Sequence, residues 1–164
     1  MYKNAIIFLV LMLIVSCGYR IVGMDTNVEY KFLLDRVVSL DKESDYFALL
    51  DDETKSFLNS YNALTLDENN YDYKLKIVLQ KVTTESSIIT RSSQTVQTDL
   101  KSRISIYVVD KHNKKVFEKD YSSVQTYNIT NNISQNIDNR NSAFRKTVRN
   151  ILLDFLHDFQ KDKK

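Results

Sequence analysis

The chain has no proline, no tryptophan, two glycines, two histidines and a single cysteine in 164 residues. Each shortage excludes something. Both glycines, Gly18 and Gly23, lie near the N-terminus, so the remainder has no Gly-rich loop to cradle a phosphate. One cysteine cannot close an internal disulfide. His112 and His157 have no second histidine or cysteine at metal-ligand spacing, and both read as solvated surface residues. The net charge is +2, with no basic excess that would point to nucleic acid. No serine sits in a nucleophile elbow. The acidic pairs Asp51-Asp52 and Glu43/Asp45 fit a solvated helix face better than an acid/base pair. No enzymatic activity and no cofactor or metal are expected.

What is present begins at the N-terminus. Met1–Asn4 carries one positive charge, Lys3, and Ala5–Val15 is an unbroken apolar run. As a helix it would span about 16 Å, well short of the about 30 Å core of a bilayer. The run closes on Leu13-Ile14-Val15-Ser16-Cys17-Gly18, which holds the only cysteine. Aliphatic residues, a small residue and then Cys form a bacterial lipobox at the end of a signal peptide. The expectation is that residues 1–16 are removed, leaving 164 − 16 = 148 residues, and that Cys17 is acylated. Loss of Lys3 takes the net charge to +1. Stable anchoring takes at least two acyl chains, which a processed lipoprotein cysteine carries. The residue after Cys17 is glycine rather than aspartate, which favours the outer membrane over the inner.

Residues 17–27 read as a lipidated tether and residues 28–164 as one periplasmic domain, long enough to bury a core. Ten tyrosines and eight phenylalanines, with many Asn, Ser and Thr, suit a β-rich body. The pattern predicts a strand over Val28–Leu40, a helix from Ser44 to about Asn62, and a strand over Tyr71–Val82. In that strand Tyr73, Leu75, Ile77 and Leu79 oppose Lys74, Lys76 and Gln80. Val96–Asp110 and Val116–Tyr127 alternate as well and are joined by a polar turn, so they predict a hairpin. Ser142 predicts the N-cap of a last helix. There Phe144, Val148, Ile151, Leu152, Phe155 and Phe159 form one stripe about 100° wide. The predicted class is α+β: two helices packed on one face of a four-stranded, mainly antiparallel sheet. Two polar linkers, Thr83–Thr95 with Arg91 and Asn128–Asn141 with Ile129, Ile133 and Ile137, are long enough to carry binding.

Taken together, the lipobox, Cys17-Gly18-Tyr19-Arg20, the Tyr73-x-Leu75-x-Ile77 strand, the long hairpin and the amphipathic last helix from Ala143-Phe144-Arg145 resemble the LPS-assembly lipoprotein family, LptE. The resemblance spans the mature chain. It implies two helices on a four-stranded sheet and a place inside the periplasmic end of the outer-membrane β-barrel LptD, which the subunit plugs and helps to assemble. It also implies binding of lipopolysaccharide (LPS) by basic residues near the loop between the second and third strands. Arg91 occupies that region here, with Lys81 and Arg103 as helpers. This chain departs from the family in lacking proline near strand starts and in the sparse charge of that loop. The rival expectation is an auxiliary lipoprotein of an envelope transporter or secretion system that binds protein only.

Overall fold

The computed structural model describes residues 28–41, 46–89 and 96–163. In chain order these form β1 (Phe32–Ser39), α1 (Tyr46–Ser60), β2 (Leu64–Thr65), β3 (Tyr73–Ile89), β4 (Val96–Asp110), β5 (Lys115–Ile129) and α2 (Ile133–Asp162). The strands make one sheet in the order β2-β1-β3-β4-β5. β1 runs parallel to both β2 and β3, and β3-β4-β5 is an antiparallel meander. The class is α+β with two helices, as expected. The four-stranded, mainly antiparallel sheet is corrected to five strands and a mixed sheet. α1 lies between β1 and β3 and carries the chain back to the end where β1 began, so β3 pairs in parallel. β2 has only two residues, too few to leave a periodic signal.

Alternation along the strands builds the core. Leu75, Ile77 and Leu79 of β3 and Leu100, Ile104, Ile106 and Val108 of β4 are buried on one face, against both helices. From α2, Phe144, Val148, Ile151, Leu152, Phe155 and Phe159 fill that face, so the stripe read from the sequence is the packing stripe. Phe32, Tyr73, Phe117, Phe155 and Phe159 meet at one end of the sheet, with Tyr73 and Phe159 edge-on at 5.0 Å. Each buried phenylalanine contributes about 1.5–3 kcal/mol of apolar burial. α1 is pinned to α2 by the buried Glu53, whose carboxylate accepts from Arg149 Nε at 2.9 Å and Arg145 at 3.3 Å.

Asparagine does the work that glycine cannot do in so glycine-poor a chain. Asn62, at φ 50°, takes the left-handed position that ends α1. There Ala63 N donates to Leu58 O and Asn62 N to Asn59 O, which satisfies the last carbonyls. Asn113, at φ 58°, turns the β4–β5 hairpin.

Three boundaries differ from expectation. β1 covers Phe32–Ser39 rather than Val28–Leu40. The Thr83–Thr95 linker is strand as far as Ile89, because β3 continues to pair with β4 through Ile89↔Val96. Bulges near Gln80 and Ser87 break the two-residue period there, and both faces turn polar, so no alternation marks the extension. The Asn128–Asn141 linker is strand to Ile129 and helix from Ile133, capped by Asn132 rather than Ser142. The Asn132 side chain accepts from Gln135 N, while Asn136 and Asn139 bond the backbone of Thr130 and Asn128. Asparagine, a weak helix former, is used here to tie helix to strand. Cys17, Ser44, Asp45 and Arg91 lie outside the described residues.

Candidate anion-binding face

Both helices pack on one face of the sheet, and no described element covers the other. The register maps that uncovered face. From β1 through β3 and β4 to β5, one row runs Arg36, Lys76, Tyr107, Glu118. The next runs Val38, Val78, Ser105, Asp120. Beyond a bulge follow Lys81, Arg103, Ser122, then Thr83, Lys101, Val124, then Glu85, Asp99, Thr126.

In the middle of this face Lys81 stands directly opposite Arg103, with Lys101 one step along the same side of β4. All three are exposed, and none makes an ion pair with another described residue. Together with Thr83 and Glu85 they line an open hollow of about 310 Å³. Opposed like charges are unfavourable by a few tenths of a kcal/mol, so folding does not account for the cluster, whereas a bound anion would relieve it. An arginine can grip a phosphate through two parallel hydrogen bonds. Glu85, opposite Asp99, is the one carboxylate among the lining residues.

The neighbouring rows are quieter. Lys76 Nζ lies 5.5 Å from the centre of the Tyr107 ring and Lys74 Nζ 5.6 Å from that of Tyr71. Gln80 donates to Ser105 Oγ and Ser105 donates to Asp120, a chain that ties three strands together.

Of the three residues expected to contact LPS, the structure brings Lys81 and Arg103 together, while Arg91 belongs to residues 90–95 outside the described ones. Sequence reasoning missed Lys101 as a third member. Its signal was Lys101-x-Arg103, two cations on one side of one strand. The histidines stay apart: His112 lies in the hairpin turn and His157 is exposed beside Asp158, 3.7 Å away. Among the described residues there is no group of carboxylates, histidines or cysteines able to hold a metal ion, and no helix long and apolar enough to cross a membrane.

No known family model matches the chain, and no curated protein matches it in sequence. Solved structures do match in fold. Rare lipoprotein B of Shewanella oneidensis aligns over 82% of this chain and 100% of its own, with a TM-score of 0.52 at 12% identity. A minor lipoprotein of Acinetobacter baumannii aligns over 84% and 95%, at 0.51 and 13%. A lipoprotein of Caulobacter crescentus CB15 aligns over 78% and 92%, at 0.53 and 12%. At these identities the likeness establishes the fold, one shared by several bacterial lipoproteins.

Proposed function

We propose that this chain is a lipid-anchored, non-catalytic lipoprotein of the bacterial envelope, held in the outer membrane through Cys17 and facing the periplasm. It acts as the LptE-like partner of an outer-membrane β-barrel of the LptD type, which it plugs and helps to assemble, and it binds LPS on its way to the outer leaflet. The observation that carries the reading is the unpaired cluster of Lys81, Arg103 and Lys101 on the uncovered sheet face. The ladder from this cluster leads directly to the segment holding Arg91. LPS bears phosphates on its lipid A, the group such a cluster suits. The fold shared with bacterial lipoproteins and the lipobox at Cys17 support the envelope location.

The test is in-cell photo-crosslinking of the full chain, with the probe at position 91 or 103 and a control at Lys161. The expected result is capture of LPS or of a large barrel by the first two positions and little by the third, together with a membrane-fraction mass showing loss of residues 1–16 plus lipid. Crosslinks only to periplasmic or inner-membrane proteins, with no LPS, overturn the reading in favour of a transporter or secretion auxiliary that binds protein alone.

A further inference from the structure

Lys81 and Arg103 are not the only like charges set opposite each other on the uncovered face. Across the parallel β1–β3 ladder Arg36 stands opposite Lys76. Both are exposed, and neither makes an ion pair with another described residue. Lys74 lies on the same side of β3, because Leu75 and Ile77, which alternate with these lysines, are buried on the helix side. The two groups share one pattern: Lys74-x-Lys76 with Arg36 opposite, and Lys101-x-Arg103 with Lys81 opposite. Lys74 and Lys76 rest on the rings of Tyr71 and Tyr107. Such contacts orient an ammonium group but leave its charge in place. The nearby carboxylates are engaged elsewhere: Glu118 pairs with Lys115, and Asp120 accepts from Ser105. Asp35 is the extra residue of the β1 bulge and has no place in the row.

The register also sets the distance between the two groups. Lys76 pairs with Tyr107 and Lys81 with Arg103, four residues apart on β4. That is about 13 Å along the strands, at about 3.3 Å per residue. One pair straddles β1 and β3, the other β3 and β4, so they are offset sideways by one strand spacing, about 4.8 Å. Their centres are therefore about 14 Å apart. Between them lie Val78 and Ser105, 7% and 1% exposed, with Gln80 hydrogen-bonded to the Ser105 hydroxyl. This floor is low and uncharged.

We infer that Arg36 and Lys76, with Lys74 beside them, form a second anion subsite, and that one ligand spans both subsites: a disaccharide with a phosphate at each end. This rests on the LPS reading above and adds to it a second contact and an order of ligand preference. Lipid A is a disaccharide phosphorylated at both ends, and two linked sugar rings with their phosphates match the span. A single phosphorylated sugar is too short for it. Each phosphate meets an arginine, which can hold it through two parallel hydrogen bonds, while the neutral rings lie over Val78, Ser105 and Gln80. Once one phosphate is held, the second binds within the same complex, so it adds affinity without a second association cost. The repeated opposition of like charges, unfavourable to the sheet on its own, then has one explanation at both places.

The test is calorimetric titration of the full chain in detergent with diphosphoryl and with monophosphoryl lipid A. The wild type is expected to prefer the diphosphoryl lipid by about tenfold, the effect of one further charge-assisted hydrogen bond. Replacing Arg36 and Lys76 together by serine should abolish that preference, so that the two lipids bind equally. The control Lys161→Ser should keep it. The double variant should melt no lower than the wild type, because it removes a repulsion; should it fail to fold, Arg36→Gln, which keeps the aliphatic stem, is read in the same way and should reduce the preference. A wild type that binds the two lipids equally overturns the second subsite and leaves the LPS reading standing. So does a folded double variant that retains the tenfold preference. A wild type that binds neither lipid overturns the LPS reading, and the inference with it.

Discussion

Lys81 and Arg103 face each other across the β3–β4 ladder, two exposed cations where cross-strand pairs ordinarily match opposite charges. A site kept for a ligand at the expense of the fold has a definite signature. Arg103→Ser should raise stability by about 0.3 kcal/mol by removing the repulsion, while weakening binding of LPS. Thermal melts and a binding titration on the same protein check both halves. Loss of stability together with binding would mean that Arg103 supports the sheet instead.

The clamp between the helices should be asymmetric. The Glu53 side chain is 5% exposed, whereas Arg145 and Arg149 are 39% and 56% exposed. Removing both arginines strands a buried carboxylate and should cost about 3 kcal/mol. Glu53→Gln leaves the arginines free to turn to water and should cost about 1 kcal/mol. Urea midpoints at unchanged slope measure the difference. Equal losses would mean that the clamp acts through packing rather than charge.

How far the fold could be read from the sequence depended on whether a residue's neighbours are apolar. Leu75, Ile77 and Leu79, or Phe144 through Phe159, announce their faces because each buried position repeats at the period of its element. Thr83–Ile89 and Ile133–Asn141 carry no such signal. The first is held by ladder hydrogen bonds to β4 and the second by Asn136 and Asn139 side chains reaching back to β5. These partners are distant in sequence or polar in character. The cationic site was half legible for the same reason. The family resemblance points to Lys81 and Arg103, but their opposition, and the addition of Lys101, follow from a register that a bulge near Gln80 resets.

Asp158 should make the domain acid-sensitive. Its carboxylate accepts from Lys119 Nζ at 2.7 Å and from the Tyr121 hydroxyl at 2.9 Å. The Lys119 hydrogen bond is the main reason its pKa lies below the ordinary 3.8. Burial first, and the bond to Asp158 second, push the Tyr121 phenol upward, so it remains a donor. A depressed carboxylate adds stability above the unfolded pKa and loses it as pH falls through the folded one. The wild type should therefore lose stability progressively below about pH 4. Asp158→Asn should start lower at neutral pH and fall less over that range. Melting temperatures across the acid range, wild type against variant, measure it, and parallel curves would sink the assignment.

The packing face of α2 gives the sharpest contrast on one helix. Leu152 is 1% exposed and lies in the core between α2 and the sheet, whereas the His157 side chain is 79% exposed on the opposite rim. Leu152→Asp removes the apolar contacts and places a carboxylate where no described cation reaches it. Loss of a large core side chain alone removes about 2–5 kcal/mol, and the stranded charge adds to that. A domain of this size has about 5–15 kcal/mol in total, so Leu152→Asp should leave the chain unfolded or nearly so by circular dichroism. His157→Asp puts a second carboxylate beside Asp158, but in water, and should lower the melting temperature only slightly. Only the face of the helix separates these two substitutions, since both introduce the same residue five positions apart. Equal melting temperatures would show that α2 is turned the other way.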